Sequence, residues 1–483
     1  MASEEPANLQ TEVVIIGAGP TGLTAAYELS RLGRQAVILE KGRRVGGIAR
    51  TEDYKGYGVD IGGHRFYTKV PQVEQLWREV MGDDFLHRPR LSRIYYNKKF
   101  FYYPIRLFDA LLKLGPLESA RIGLSYLWRR IKPHPVEENF EQWVSNRFGQ
   151  RLYEVFFKTY TEKVWGIPCT EIKAEWAAQR IKGLSLSAAL KNALLPARQN
   201  QITSLINSFH YPRRGPGMLW ERMGQKVQQA GHRLLLESEV VALRVRDGRV
   251  RQVISRNCTH TFAVTGEHFI SSMPLGELVL KIEPPPPPDV IAAARQLSYR
   301  DFLTVALIVR RDDLFPDNWI YVHSPEVRVG RIQNFKNWSA DMVPAAQPGT
   351  ACIGLEYFCR EGDELWQMDN ADLIALARRE LAALGLAAAG DVIDGVVFRQ
   401  PKAYPVYSGE YQASLETIRR YLASLGNLQT AGRNGLHKYN NQDHSMLTAM
   451  LAVQNILGAQ HDLWAINTDR SYYEEIRISK QDQ

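Results

Sequence analysis

The stretch TEVVIIGAGPTGLTAAYELSRLGRQAVILEKG, residues 11–42, constrains the fold more than any other part of the chain. An apolar run leads into three glycines, a helix-periodic segment follows, and a second apolar run ends at Glu40. This order predicts a βαβ unit of the usual ~30 residues. Gly17 permits a tight turn, Gly19 lets a pyrophosphate approach the backbone, and Gly22 allows close helix–strand contact. The pattern therefore predicts a dinucleotide site, with the pyrophosphate at the helix N-terminus and ribose hydroxyls on Glu40.

A glycine-rich turn without a ligand is the alternative, and the βαβ context with its acidic residue argues against it. The 483 residues allow two or three domains, or one nucleotide-binding domain with insertions. The net charge of +8 suits a phosphate-bearing small molecule if it is focused in a cleft. The chain has no dense block of Lys and Arg, so its sequence does not indicate nucleic-acid binding.

The four cysteines form no C-x-x-C pair, so they predict neither a metal site nor a disulfide framework. We expect reduced, buried thiols in a cytoplasmic protein. The first residues, MASEEPANLQ, do not resemble a signal peptide, and no run of 18 apolar residues occurs. The segment ARIGLSYLWRRIKP, residues 120–133, is a basic amphipathic helix. We expect it to pack on its own domain, with peripheral contact to a membrane surface as the alternative.

Periodicity predicts an α/β protein in which a Rossmann-like domain carries an inserted helical region and a mixed β-sheet substrate domain. Residues 70–200 are mostly helix-periodic, the Asp-Gly in RVRDGRVRQ predicts a hairpin, and residues 370–387 form an Ala/Leu-rich helix. HFISSMP, DFLTVALIVRR and TACIGLEYF are predicted strands. We predict a dinucleotide-binding domain made of three segments, residues 1–90, 205–298 and 401–483. Residues 91–204 are predicted to form a mainly helical substrate-binding insertion, and residues 299–400 a β-sheet substrate domain.

The run RRVGGIART follows the first glycine motif directly. It resembles the second glycine signature of the flavoproteins that include amine oxidases, protoporphyrinogen oxidases, phytoene desaturases and UDP-galactopyranose mutases. The resemblance implies that Gly46, Gly47 and Arg50 contact the diphosphate of FAD. Near the other end, AGRNGLHKYNNQDHSM predicts a Gly-Arg turn and a helix beginning near Gln442. Arg433 would pair with phosphate, and the helix N-terminus would stabilise negative charge on the flavin.

The stretch FFKTYTEKVWGIP, residues 156–168, mixes aromatic rings with cations before a helix-stopping Gly-x-Pro. Its Tyr-Thr-Glu-Lys-x-Trp-Gly run resembles the uridine-pocket motif of UDP-galactopyranose mutases. A uracil ring stacks well on aromatic side chains, at ~1–3 kcal/mol per base. The candidate nucleotide-binding residues are Phe157, Tyr160, Thr161 and Trp165. The alternative is that the aromatic side chains form the core stripe of a helix, and for Phe156 and Phe157 the two readings are equally favoured.

Further patches resemble the same family. GGHRFYT, with Gly63 and His64, matches the histidine loop beside the flavin ring, and FFYYP matches an aromatic-Pro segment. The resemblance implies that Arg180 and Arg300 grip the sugar diphosphate, which suits two bidentate guanidinium groups. It also implies that Tyr404 lies near the phosphates and that Tyr439 and Asp443 lie beside the isoalloxazine. Tyr439 is also expected to contact the substrate.

Three departures affect the sugar half of this resemblance. The stretch after Arg180, KGLSLSAALKNALL, lacks an aromatic that bacterial mutases carry. VGRIQ, with Val329, stands where they have Tyr-Thr-Arg, and YPVY lacks an arginine. The flavin half is therefore the firmer part, and another substrate remains open.

The resemblance implies a pyranose–furanose mutase of a nucleotide sugar, serving cell-envelope synthesis, in which N5 of reduced FAD attacks the anomeric carbon. The predicted catalytic residues are His64, Arg180 and Arg300. FAD is expected to be non-covalent, with NAD(P)H or a reductase as the electron source. An FAD-dependent oxidase or desaturase is the alternative, because the glycine signatures recognise only FAD. A non-catalytic scaffold is disfavoured by the complete set of FAD motifs, and the oligomeric state is left open.

Overall fold

A computed structural model describes residues 8–103, 105–174, 203–205, 207–407, 409–467 and 475–477. The chain divides into two compact units, each assembled from separate segments. Unit 1 comprises Met1–Leu86, His210–Tyr299 and Lys402–Thr468, and unit 2 comprises His87–Phe209, Arg300–Pro401 and Asp469–Gln483. The chain passes from one unit to the other within four strands: Phe85–Pro89, Ser208–Pro212, Tyr299–Val309 and Val392–Pro405.

Unit 1 is built on a five-stranded sheet whose neighbouring strands are all parallel. In spatial order its strands are Arg233–Leu235, Ala36–Leu39, Val13–Ile16, His268–Ser271 and Leu428–Thr430. The strands Val13–Ile16 and Ala36–Leu39 are buried along their whole length, as expected when both faces of a parallel sheet are covered. With the helix Pro20–Arg31 between them they form the predicted βαβ unit. The Rossmann-like fold predicted from the glycine motif is confirmed.

A second five-stranded sheet of unit 1 has the spatial order Asn8–Gln10, Thr261–Thr265, Arg249–Arg256, Glu239–Arg246 and Ile282–Glu283. Asp247 and Gly248 form the predicted hairpin turn, with φ of 54° and 66°. A hairpin joins Thr51–Tyr54 to Tyr57–Asp60. The helices of unit 1 are Pro20–Arg31, Pro71–Met81, Gly217–Gln229, Leu275–Leu280, Pro288–Gln296, Tyr411–Ala423, Gly432–Gly435 and Gln442–Ile456, with 3₁₀ turns at Gly47–Ala49, Gly82–Asp84 and Leu463–Ala465.

Unit 2 contains a seven-stranded mixed sheet. Its spatial order is Val392–Pro405, Tyr299–Val309, Ala351–Cys359, Arg331–Asn334, Trp319–Val322, Ser92–Tyr96 and Lys99–Tyr102. Thr203–Leu205 pairs with Glu475–Arg477. Its helices in the described ranges are Leu107–Leu114, Pro116–Ile131, Phe140–Phe148, Gln150–Tyr153, Thr159–Trp165, Phe335–Trp338, Glu364–Gln367 and Asn370–Ala383, with a π turn at Glu154–Lys158 and 3₁₀ turns at Ala340–Met342 and Ala389–Asp391.

The structure corrects two expectations. The helix-periodic reading of residues 70–200 missed the hairpin Ser92–Tyr96 and Lys99–Tyr102, whose turn residues Asn97 and Lys98 have φ of 47° and 57°. Aromatic runs on either side of an asparagine-containing turn were the signal. Cys258 is exposed, unlike the other three cysteines, because it lies in the turn between two strands. Within the described ranges, no helix is both long and apolar enough to cross a membrane.

Candidate active site

In the first glycine turn of unit 1, Gly17 and Gly22 leave no room for a side chain. Gly17 has φ of +98° and donates its N–H to the Leu39 carbonyl at 2.8 Å. A Cβ on Gly22 would lie 1.7 Å from the Gly17 carbonyl oxygen, so strand and helix make the close contact expected there. The helix Pro20–Arg31 has no side-chain hydrogen bond at its N-cap, Gly19. Its first N–H groups and its dipole therefore suit an anion.

Glu40 fixes this turn from the end of the second strand. One carboxylate oxygen accepts the Ala18 N–H at 2.7 Å, and the other accepts the Gly42 N–H at 2.8 Å. An ionised carboxylate has about four acceptor positions, so two N–H donors leave capacity for ribose hydroxyls. The expected ribose contact is thus compatible with a role that the sequence did not reveal, namely holding two loops in register.

The second glycine turn faces the first. Gly46 and Gly47 have φ of 98° and 54°, and a Cβ on Gly47 would lie 3.3 Å from the Cα of Gly19. Arg50 donates Nη1 to the Gly47 carbonyl at 2.8 Å and Nε to Glu52 at 2.6 Å. The turns thus form a bare backbone cradle of the kind that a diphosphate needs, with a guanidinium beside it. Because Glu52 pairs with Arg50, a phosphate there would share the cation.

The histidine loop and the C-terminal helix are joined inside unit 1. His64 places Nε2 at 2.8 Å from the Ile61 carbonyl, and since a carbonyl oxygen only accepts, Nε2 carries a proton and donates it. Gly63, next to it, is exposed. Thr68 donates its hydroxyl at 2.9 Å to Asp443, which is 1% exposed in the first turn of the helix Gln442–Ile456.

The start of that helix, predicted near Gln442, is confirmed. Gln442 accepts the indole N–H of Trp220 at 3.0 Å, so its side chain is committed to packing. The Asp443 carboxylate already lies at the positive end of the helix dipole. Negative charge on a flavin there would therefore share that end with Asp443, which the sequence argument did not foresee.

Arg433 is held by main-chain oxygens and not by a carboxylate. It donates to the carbonyls of Asn440 and Ala403 at 2.8 and 3.0 Å, and no acidic side chain among the described residues forms an ion pair with it. Its guanidinium lies 4.8 Å from the Tyr439 ring centroid and 5.6 Å from that of Tyr404. The two tyrosine rings stack with centroids 5.7 Å apart. Unit 1 thus brings together Tyr404, Tyr439 and a cation available to a phosphate.

In unit 2, the motif around Tyr160 begins on an irregular helix. The π turn Glu154–Lys158 leads directly into the helix Thr159–Trp165, and such turns are frequent at functional sites. Gly166 ends the helix with φ of 65°, as its Gly-x-Pro predicted. A Cβ on Gly166 would lie 2.4 Å from Nη1 of Arg300, so glycine is needed for both the turn and the approach of the guanidinium.

Arg300 closes the C-terminal end of this helix. It is 6% exposed and donates to the carbonyls of Val164 at 3.2 Å and Lys163 at 3.3 Å. Among the described residues no carboxylate forms an ion pair with it, and burial lowers the pKa of its guanidinium. Two of the five N–H donors that a guanidinium offers are used in this way. The expected anion-binding role of Arg300 is thus combined with a helix-capping role.

Two rings pack against Tyr160, and Lys163 holds the segment that carries one of them. Its ring stacks on His323 with centroids 4.9 Å apart and meets Tyr321 edge-on at 5.4 Å. Lys163 donates to the carbonyls of Val322, Ser324 and Val329, at 3.3, 2.8 and 3.0 Å, which uses all three of its N–H groups. Burial lowers the pKa of Lys163 to about 8. Burial, helped by the Lys163 charge, lowers the pKa of His323 to about 3.

We call Tyr160, Lys163, Arg300, Tyr321 and His323 the aromatic–cation cluster. Sequence reasoning assigned no role to Lys163, although it lies in the quoted motif, and it missed Tyr321 and His323. No local signal marks the latter two, because they belong to a different strand and loop.

The remaining motif residues lie deeper. Trp165 is 6% exposed and Phe156 is 2% exposed, in one apolar core with Phe101 and Phe140. Phe157 packs against that core at its edge, and its neighbour Thr161 is 8% exposed. The core-stripe alternative therefore fits Trp165 in this structure, which corrects its expected place as an open platform. Arg180 lies outside the described residues.

Comparison with known proteins identifies the class. The family model for flavin containing amine oxidoreductases matches residues 20–439. The chain belongs to this family and is an FAD-dependent enzyme. Both glycine turns, Glu40 and the neighbouring cations fit such a cofactor, which supplies the chemistry of an isoalloxazine ring when bound. Among the described residues no group of acidic, histidine or cysteine side chains could hold a metal ion.

Curated relatives match part of the chain. An L-amino-acid oxidase of Bothrops pauloensis is 25% identical over 62% of this chain and 60% of its own length. A pseudooxynicotine dehydrogenase of Pseudomonas is 40% identical over 42% of this chain and 35% of its own. The chain thus spans less than two thirds of either relative.

Solved structures match more completely. A reduced UDP-galactopyranose mutase superposes with a TM-score of 0.81, covering 96% of this chain and 99% of that one at 21% identity. Putrescine oxidase bound to putrescine gives a TM-score of 0.60 at 15% identity, covering 94% and 100%. At these identities the likeness establishes the fold, which both a mutase and an oxidase share.

Proposed function

We propose that the enzyme interconverts the pyranose and furanose forms of a nucleotide sugar of the UDP-galactose type. Arg300 carries this proposal, as a buried guanidinium with main-chain partners and no ion-paired carboxylate among the described residues. Burial of this cation is offset in part by the longer-range charges of Asp363 and Asp301, and a bound diphosphate would offset more of the cost of burying it. An amine or an apolar substrate would add no negative charge, and the carboxylate of an amino acid would add less than a diphosphate does.

Two neighbouring features support the proposal. Tyr160 lies one turn before the end of the helix that Arg300 caps, and its stacked, partly exposed ring suits a uracil. Lys163 donates hydrogen bonds to three carbonyl oxygens of the segment 322–329. These bonds hold the segment in place and with it His323, which stacks on Tyr160. A base and a diphosphate could therefore lie along one face of this helix.

The cofactor and the site residues have distinct roles in the proposed reaction. FAD, bound without a covalent link and in its reduced form, would supply a nucleophile through N5. Arg300 would stabilise negative charge on the departing diphosphate, an electrostatic effect on the transition state. His64, which is held through Nε2 by the Ile61 carbonyl, would position the flavin. NAD(P)H or a separate reductase would deliver the electrons.

The family model and the L-amino-acid oxidases support a second candidate, oxidation of an amine or amino acid by oxidised FAD. The two reactions differ in redox stoichiometry, because a mutase consumes no oxidant. The test incubates dithionite-reduced and air-oxidised protein with a panel of nucleotide sugars and separates the products by HPLC. In parallel, oxygen uptake is measured with amines and amino acids. Isomerised sugar from the reduced protein alone, over many anaerobic turnovers, is expected. Oxygen-coupled turnover of an amine without nucleotide-sugar binding would promote the second candidate.

A further inference from the structure

The helix Pro116–Ile131 of unit 2 turns most of its apolar side chains outward. Of its residues only Ile122 is buried, at 2% exposure. We call five of the others the exposed stripe: Leu117 (68% exposed), Leu124 (68%), Leu127 (58%), Trp128 (57%) and Ile131 (74%). The expectation that this segment packs its apolar face on its own domain is therefore wrong for these five residues.

The spacing gives the stripe one direction. Leu117, Leu124, Trp128 and Ile131 follow one another at intervals of seven, four and three, which places them on one face of a helix. The preceding helix, Leu107–Leu114, also exposes large apolar side chains, with Phe108 at 50% and Leu112 at 82%. An apolar face of this extent marks a docking surface and is not a chance exposure of single residues.

Cations border the stripe, and the acidic residues nearby are paired. Arg121 lies one helical turn from both Leu117 and Leu124 and is 60% exposed. Lys132 places Nζ 4.9 Å from the Trp128 ring centroid. Glu118 is the one carboxylate of the helix, and it pairs with Arg151 and with Arg121. The surface thus presents net positive charge around an apolar centre.

We propose that the exposed stripe docks this enzyme on a bilayer containing anionic phospholipid. An interfacial helix buries Leu and Trp at the acyl boundary while Lys and Arg extend to the headgroups, which is the arrangement of this face. Lipid phosphates would also add partners for Arg121 and Lys132.

A second copy of the chain fits this face less well. Most homodimers pair the same patch about a two-fold axis. The cations of the two copies would then lie in one interface, and the single carboxylate on the helix is already engaged by Arg151 and Arg121. An anionic bilayer meets both the apolar and the cationic side chains without that repulsion.

The test floats the full-length flavoprotein with vesicles of phosphatidylcholine alone or mixed with phosphatidylglycerol. Wild type is expected to float with the mixed vesicles, less at high salt, and to stay behind with the neutral ones. L124E/I131E should lower the partition coefficient by more than roughly tenfold. Lys132→Gln should lower it by roughly fivefold, since a cation near an anionic surface contributes ~1 kcal/mol.

Leu457→Glu is the matched control, because Leu457 is also an exposed leucine, at 48%, but lies in unit 1. It should float like wild type. Flavin absorbance and circular dichroism check that each variant is folded, and Trp128→Phe should remove the fluorescence that brominated lipid quenches on binding.

Three results would overturn the proposal. In the first, wild type does not float with vesicles that contain phosphatidylglycerol. In the second, L124E/I131E floats as well as wild type. The third is a sedimentation mass of two chains that falls to one in L124E/I131E without vesicle binding, which would assign the exposed stripe to a second copy.

Discussion

The glycine turns of unit 1 and the aromatic–cation cluster of unit 2 are built in opposite ways. In unit 1, backbone atoms form the cradle, and Gly19 and Gly47 approach so closely that a Cβ on Gly47 would lie 3.3 Å from the other's Cα. In unit 2, side chains form the cluster, and Tyr160 and His323 stack from segments far apart in the sequence. A backbone site forces a residue type at each position and leaves a motif, whereas a side-chain site can be assembled from many places.

The largest effect expected from this difference is on Gly22. In Gly22→Ala the added methyl would lie 1.7 Å from the main-chain oxygen of Gly17, which cannot move without breaking the turn. We expect destabilisation by more than about 3 kcal/mol and little folded flavoprotein. Expression yield, circular dichroism and flavin absorbance measure it.

Gly19→Glu is the contrasting variant, because a Cβ there meets no atom closer than 3.7 Å. It should fold but lose FAD, since its carboxylate would face the pyrophosphate. A yellow, fully loaded Gly19→Glu protein would show that the cofactor lies elsewhere.

Arg300→Ala should have the next largest effect. Removing one electrostatic stabiliser of a developing charge lowers kcat/KM by ~10²–10³. Arg300→Lys should restore only part of this, because an ammonium lacks the bidentate fork. The measurements are UDP affinity and steady-state kinetics on the reduced enzyme, with thermal unfolding to register the lost contacts to Lys163 and Val164.

Arg328→Ala is the matched control, because Arg328 also belongs to unit 2 but is 44% exposed and paired with Glu364 at 2.6 Å. It should leave both UDP affinity and kcat/KM unchanged. If Arg300→Ala binds UDP as tightly as wild type, the diphosphate does not lie at this guanidinium.

Substitutions at Tyr160 and Trp165 distinguish a ring that binds the ligand from a ring that packs in the core. Tyr160→Ala should weaken UDP binding by ~1–3 kcal/mol, the usual contribution of one stacked base. Trp165→Ala should instead destabilise the protein by ~3–5 kcal/mol, because Trp165 is 6% exposed. Trp165→Phe preserves an aromatic core side chain and should leave UDP affinity unchanged. Titrations followed by calorimetry distinguish the two rings, and a weaker UDP complex in Trp165→Phe would restore the platform reading of Trp165.

The same contrast explains how far the sequence could lead. The βαβ unit, the Asp247–Gly248 hairpin and the helix beginning at Gln442 were predictable, since local glycines, periodicity and turn residues specify them. Partners such as Thr68 for Asp443 and Val329 for Lys163 were not, because they come from distant segments. The burial of Trp165 was also out of reach, since an aromatic residue in a short motif fits a core and a ligand platform equally well.

A further expected effect concerns acid stability and tests how tightly His323 packs against Tyr160. Burial lowers the pKa of His323 from 6.5 to about 3. Between those values the unfolded chain binds a proton that the folded chain does not, so the free energy of unfolding falls as the pH falls. His323→Phe keeps a ring against Tyr160 and removes this titration. Across that window the slope of its free energy of unfolding against pH should correspond to about one bound proton less than in wild type. His437→Phe is the counterpart in unit 1, where burial lowers the pKa of His437 to about 4 and the window is correspondingly narrower. Urea unfolding at a series of pH values measures both variants. If His323→Phe shows the same pH dependence as wild type, His323 becomes protonated in the folded protein and Tyr160 stacks on a ring that water can reach.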